Sequence, residues 1–144
     1  MKELYFEDVE IGDDIGPRER VVDVAQVRRF MSVRGGTPGE SRFTSDEYAK
    51  KEGLAGAIVP GAMNITILSQ LLTGWADTVR LRKLDVVFRG MVPHNSPLTL
   101  SGIITDKDVV GGEPRLECDV FLQNEEGTRL VIGNAIVVLP MRGD

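Results

Sequence analysis

The stretch FTSDEYAKKEGLAGAIVPGAMNITILSQLL, Phe43 to Leu72, decides the fold, because it joins a short charged helix to a long apolar one through a hinge of glycine and proline. Ser45 caps the first helix, with Asp46 and Glu47 in its first turn, where the helix dipole favours negative charge, and Gly53 closes it. Beyond the hinge at Gly56 to Pro60, a second helix runs from Gly61 to about Trp75. The charge-free run from Leu54 to Ala76 contains Pro60, Asn64, Thr66, Ser69, Gln70 and Thr73. It therefore reads as a buried core helix and not as a membrane span.

At about 100° per residue, Ile65, Ile67, Leu68, Leu71, Leu72 and Trp75 surround one direction of this helix, and Thr66, Ser69, Gln70 and Thr73 the opposite one. Asn64 falls in the middle of the apolar arc, in the first turn. A buried amide without partners costs roughly 1–3 kcal/mol, so Asn64 must bond either to a neighbouring loop carbonyl or to a ligand. Pro60-Gly61 leaves the amides of Gly61, Ala62 and Met63 without intrahelical acceptors, and a glycine lets another group approach the backbone closely. Such an end can bind an oxyanion, although Pro-Gly also simply starts helices.

Upstream, Val24, Val27, Phe30 and Met31 share one face of a helix over Val24 to Val33, with Asp23 as its cap. Gly35, Gly36, Thr37, Pro38 and Gly39 break it. Downstream, the pattern alternates as strands over Thr78 to Val92, Leu98 to Val110, Arg115 to Asn124 and Arg129 to Leu139, separated by turn signals. Leu116, Cys118, Val120 and Leu122 mark one buried face. A further strand near Arg18 to Val22 can pair at an edge. The expected architecture is α+β: an antiparallel meander curved around the long helix, with an edge left open for a dimer.

A chain of 144 residues, 42% hydrophobic and 27% charged, makes one domain over 1–144 with no room for a second. One cysteine, Cys118, and one histidine, His94, supply neither an internal disulfide nor a zinc cluster. A net charge of -5 argues against general nucleic-acid affinity, although Arg80, Arg82, Lys83 and Arg89 crowd into one segment and can meet a local phosphate. Glu3, Glu7, Asp8 and Glu10 stand where a signal peptide has its basic start and apolar run, so a cytoplasmic location is expected.

FEDVEIGD near the start, RRFMSV, DEYAKKEGLAGAIVPGAM, LRKLDVVFRGMV and the terminal NAIVVLP resemble, in order and spacing, the MaoC-like hotdog proteins, over nearly the whole chain. That family includes (R)-specific enoyl-CoA hydratases and 3-hydroxyacyl dehydratases. The resemblance implies a hotdog fold, a dimer or double-hotdog unit, acyl chains carried on CoA or acyl carrier protein as ligands, and no other cofactor. The family's catalytic motif is an Asp followed five residues later by a His, on the loop before the DEYA-like helix. Counting back from Tyr48 places Phe43 at the His position and Pro38 at the Asp position, with Glu40 where an Asn usually lies. Neither Phe nor Pro transfers a proton. The family's His-Gly step at the helix start is Pro60-Gly61 here, so Gly61 carries over as a carbonyl-binding donor.

Three readings follow, with a pure assembly module as the remainder. The first is a non-catalytic acyl-thioester-binding hotdog, alone or beside a subunit that supplies the Asp/His pair. The second is an active hydratase with Glu40 or Asp46 as base, and the Gly61 amide plus Asn64 polarising the carbonyl. The third is a hotdog thioesterase. Phe43, Gly61, Ala62, Asn64 and Arg89 are the candidate substrate contacts, and Arg82 a further phosphate contact. Glu40 also reads as a solvated loop carboxylate, Asp46 as a first-turn helix charge, and His94 as exposed in a turn. Cys118 reads as core.

Overall fold

The computed structural model describes residues 3–33 and 39–143. Its elements run β1 (Asp14–Arg20), α1 (Val24–Ser32), α2 (Asp46–Lys51), α3 (Gly61–Thr73), β2 (Arg80–Phe88), β3 (Leu98–Val110), β4 (Glu113–Gln123) and β5 (Arg129–Val138), with a 3-10 turn at Phe6–Asp8. Local chemistry sets the helix starts. Asp23 accepts a hydrogen bond from the Gln26 amide and Ser45 from the Tyr48 amide, so both caps act as the sequence implies.

The strands form one antiparallel sheet in the order β1-β3-β4-β5-β2. The expected meander holds for β3, β4 and β5 and fails for β2, which crosses to the far edge and pairs with β5 from Arg80↔Val138 to Phe88↔Val131. The β3-β4 hairpin turns at Gly111 and Gly112, whose φ of 57° and 79° suit glycine. The fourth strand alternates as its pattern requires: Leu116, Cys118, Val120 and Leu122 are fully buried.

α3 packs against this sheet with Met63, Ile67, Leu68, Leu71 and Leu72 in the core. Ile65 departs from the expected apolar arc and is 38% exposed. It sits on the same outward side as Thr66. Trp75 lies beyond the helix and only partly buries against the core. Among the described residues no helix is long and apolar enough to cross a membrane.

Candidate functional site

The hinge before α3 is held from three sides. The Ile58 amide donates to the Arg42 carbonyl at 2.9 Å, the Val59 amide to the Val92 carbonyl at 2.8 Å, and the Ala57 amide to Asp46 Oδ1 at 2.8 Å. His94 Nε2 lies 3.0 Å from the Ile58 carbonyl. A carbonyl only accepts, so this nitrogen carries the proton. His94 is thus partly buried and tied to the hinge, not exposed in its turn as the sequence implied.

Ahead of α2, the Ser41 amide donates to Thr44 Oγ1 at 3.0 Å, and that hydroxyl donates to the Gly39 carbonyl at 2.9 Å. The Phe43 amide donates to Ser41 Oγ at 3.2 Å, and the Phe43 ring packs, partly buried, against the core. A cavity of about 220 Å³ opens there, lined by Arg42, Phe43, Ile58, Val59, Gly61, Asn64, Phe88, Gly90, Met91 and Val92. The wall is largely apolar and, among the described residues, contains no Asp, Glu or His.

At the head of α3, Pro60 bonds its carbonyl to the amides of Met63 and Asn64. Met63 therefore drops out of the expected set of free amides. Gly61 and Ala62 keep theirs, with no hydrogen-bond partner among the described residues. The glycine at 61 has a packing cause: a Cβ there would stand 3.2 Å from Phe88 Cζ. Phe88 is 49% exposed, and its ring lies across the helix start.

Asn64 is 3% exposed, and its Oδ1 is buried with no hydrogen-bond partner. The loop carbonyls around it only accept, so none of them can satisfy this oxygen. An amide oxygen kept dry in this way costs about 1–3 kcal/mol until a donor reaches it.

The other candidates lie apart. Glu40 is exposed and stands 3.5 Å from Arg28, outside the cavity wall. Asp46 lies in the first helical turn, and its Oδ1 also fastens α2 to the hinge. Asp46 and His94 line an adjoining hollow of about 320 Å³, which shares Ile58 and Met91 with the first. Arg89 is exposed, and its guanidinium has no ion pair among the described residues. Arg82 is not free for a phosphate: it forms a bidentate pair with Glu113, and Arg115 donates to the same carboxylate at 2.8 Å. These guanidinium hydrogen bonds hold Glu113 down at about 2. Pro38 and residues 35–37 of the loop lie outside the described residues. Cys118 is buried, and desolvation pushes its thiol up to about 12. Among the described residues no three His, Cys, Asp or Glu side chains gather as a metal site.

Sequence reasoning missed Phe88 and Met91 as walls of the cavity. Both precede or follow the Arg89-Gly90 step at the end of β2, where a strand pattern alone says nothing of what the ring faces.

No protein-family profile and no curated protein sequence matches the chain. Solved structures do. An R-hydratase from Pseudomonas aeruginosa superposes with a TM-score of 0.84 at 15% identity, covering 97% of this chain and 88% of that one. A MaoC-like dehydratase from Rhodospirillum rubrum superposes with a TM-score of 0.81 at 16% identity, covering 98% and 99%. A chain of the HadBC (3R-hydroxyacyl-ACP dehydratase) complex from Mycobacterium tuberculosis does so at 0.71 and 19%, covering 89% and 96%. The chain has the hotdog fold. In this hotdog, α3 is the enclosed helix, and its N-terminus opens on the cavity that holds Asn64.

Proposed function

We propose that this hotdog is an acyl-thioester-binding subunit of a hydratase or dehydratase assembly and carries no proton-transfer pair of its own. The observation that carries the reading is the cavity at the head of α3: the unpartnered Gly61 amide and a buried, unpartnered Asn64 Oδ1, in a wall without an Asp, Glu or His among the described residues. Such a wall can hold a thioester carbonyl at the Gly61 amide, while Phe43, Phe88 and Val92 keep water from the acyl chain. It offers nothing to remove a proton. Pockets that enclose a whole drug-sized ligand measure about 300–1,000 Å³. A cavity of about 220 Å³ therefore takes the acyl end and leaves the carrier outside, within reach of the exposed Arg89.

The second subunit docks on β2. The other free edge, β1, is blunted by Pro17, which has no amide proton, and by a register break between Ile15 and Arg18. β2 instead ends in exposed Val87 and Phe88. Copies of this chain pair there as a homodimer, and in a heteromer the same edge takes a hotdog that brings the Asp/His pair. One of the superposing chains comes from a HadBC complex, which supports the heteromeric reading. An active enzyme using Glu40 or Asp46 is less well supported, because the first is paired outside the cavity and the second is bonded to the hinge. The thioesterase reading needs a carboxylate in a wall that has none.

Calorimetric titration of the purified chain with butyryl-CoA tests binding, and a crotonyl-CoA hydration assay tests catalysis. Saturable binding without turnover is expected; hydration by the chain alone overturns the reading.

A further inference from the structure

The edge strand β2 carries two kinds of side chain. Leu81, Leu84 and Val86 pack, only partly buried, against the core. Lys83, Asp85 and Val87 alternate with them on the outer face and are exposed. Lys83 Nζ and Asp85 Oδ2 lie 3.2 Å apart there. An ion pair so exposed contributes little by itself. What matters is its placing: a base and an acid on either side of Leu84, at the outer edge of the sheet.

Edge strands usually carry charges that keep other chains away. On β2 the order of the charges leaves one register attractive. Residues directly opposite in an antiparallel pair share a face, so a two-fold axis between two copies of β2 passes through one residue and its own equivalent. An axis at Leu84 sets Lys83 against the partner's Asp85, and Asp85 against the partner's Lys83, while the two Leu84 side chains meet on the inner face. Arg82 is the extra residue where the β2-β5 register shifts between Leu81 and Lys83. With it bulged, Leu81 meets the partner's Val86 and Arg80 the partner's Val87. An axis at Lys83 or Asp85 puts like charges directly opposite, which destabilises a strand pair. At Val86 it faces Lys83 with the partner's Arg89. At Val87 it faces Asp85 with the partner's Arg89, but β2 ends at Phe88, and the amides of Arg89 and Gly90 both donate to the Leu130 carbonyl, which breaks the regular edge.

We propose that the β2 edge is self-complementary and takes a second copy of this chain, with the two-fold axis at Leu84 and reciprocal pairs between Lys83 and Asp85 fixing the register. This deepens the proposed docking of a subunit on β2 and rests on it. The apolar inner seam supplies the burial, and the charges orient it. A different hotdog takes the same place only by presenting an acid and a base in the same order.

Charge reversal tests the register. Lys83→Glu leaves two acids on the edge and Asp85→Lys two bases. Each homodimer should be about thirtyfold weaker than that of the unmodified protein by sedimentation equilibrium, because two cross-strand pairs turn from attraction to repulsion. Mixed in equal amounts, the two variants, each checked for native circular dichroism, should regain the dimer, and the double variant should dimerise like the unmodified protein. Leu84→Cys should cross-link to its own copy on air oxidation with copper phenanthroline, and Val87→Cys should not; Cys118 is buried and does not compete. A monomeric unmodified protein, charge reversals that leave the dimer unchanged, a mixture no more dimeric than its components, or cross-linking through Val87→Cys in place of Leu84→Cys overturns the assignment. Butyryl-CoA binding is read separately on the unmodified protein, so failure of the thioester function and failure of this assignment are distinct.

Discussion

Replacing Asn64 with Leu should make the free protein more stable. The side chain is 3% exposed and its Oδ1 has no partner, and removing an unsatisfied buried polar group returns its desolvation cost of about 1–3 kcal/mol. Leu has the same branching at Cγ and fits the apolar neighbours of α3. For a domain of this size, each 1 kcal/mol moves Tm by roughly 2–4 °C, so the variant should melt about 2–12 °C higher by calorimetry at pH 7. A stabilising substitution at a buried polar group is the pattern of a residue kept for something other than stability. A lower Tm for Asn64→Leu would refute the reasoning, because it would mean that Asn64 is already satisfied inside the protein.

Three further outcomes follow from other parts of the molecule. Glu113 is held at about 2 by hydrogen bonds from Arg82 and Arg115, against an ordinary value of 4.5; its contribution to stability is therefore complete above pH 4.5 and is lost as pH falls through about 2. An NMR titration of its side-chain carboxyl should show the low midpoint, and a midpoint near 4.5 would show the pair to be absent in solution. Cys118, fully buried with its thiol raised to about 12, should resist a thiol reagent in the native protein at pH 8 and react on unfolding; rapid native labelling would contradict its place in the core. Val87→Lys puts a charge on the exposed end of β2 and should shift sedimentation from dimer towards monomer, whereas an unchanged dimer would locate the contact elsewhere.

The parts of the fold that depend on neighbours in sequence were legible. Asp23 and Ser45 declare their helices through side chains that reach amides three residues on. The third strand is bounded by Pro97 and by Gly111-Gly112, and its limits, Leu98–Val110, agree with the expected ones. What depends on distant pairing was not legible. Nothing in RLRKLDVVF says that β2 pairs with β5 and not with β3, because both partners offer apolar alternation. Arg82 reads as a phosphate contact or as a strand charge or ion pair, and the sequence does not name its partner because Glu113 lies thirty-one residues away. Ile65 joined the apolar arc by helical angle, yet that angle carries no information on where the sheet stops covering the helix.

The candidate site divides in the same way. Asn64 was visible as a polar residue in an apolar arc, and Phe43 as a ring where proton chemistry would need an imidazole. Phe88 across Gly61 was not visible, since a ring and a backbone 27 residues apart meet only through the sheet. His94 was placed in a turn by its Asn95-Ser96-Pro97 context, while its bond to the Ile58 carbonyl comes from the hinge folding back.

The central claim, a thioester site without its own proton-transfer pair, is tested most directly by one measurement: the purified chain incubated with crotonyl-CoA at concentrations that saturate binding, with hydrated product followed over time. The account predicts a bound complex and no hydration above the uncatalysed rate. Turnover by this chain alone would contradict it.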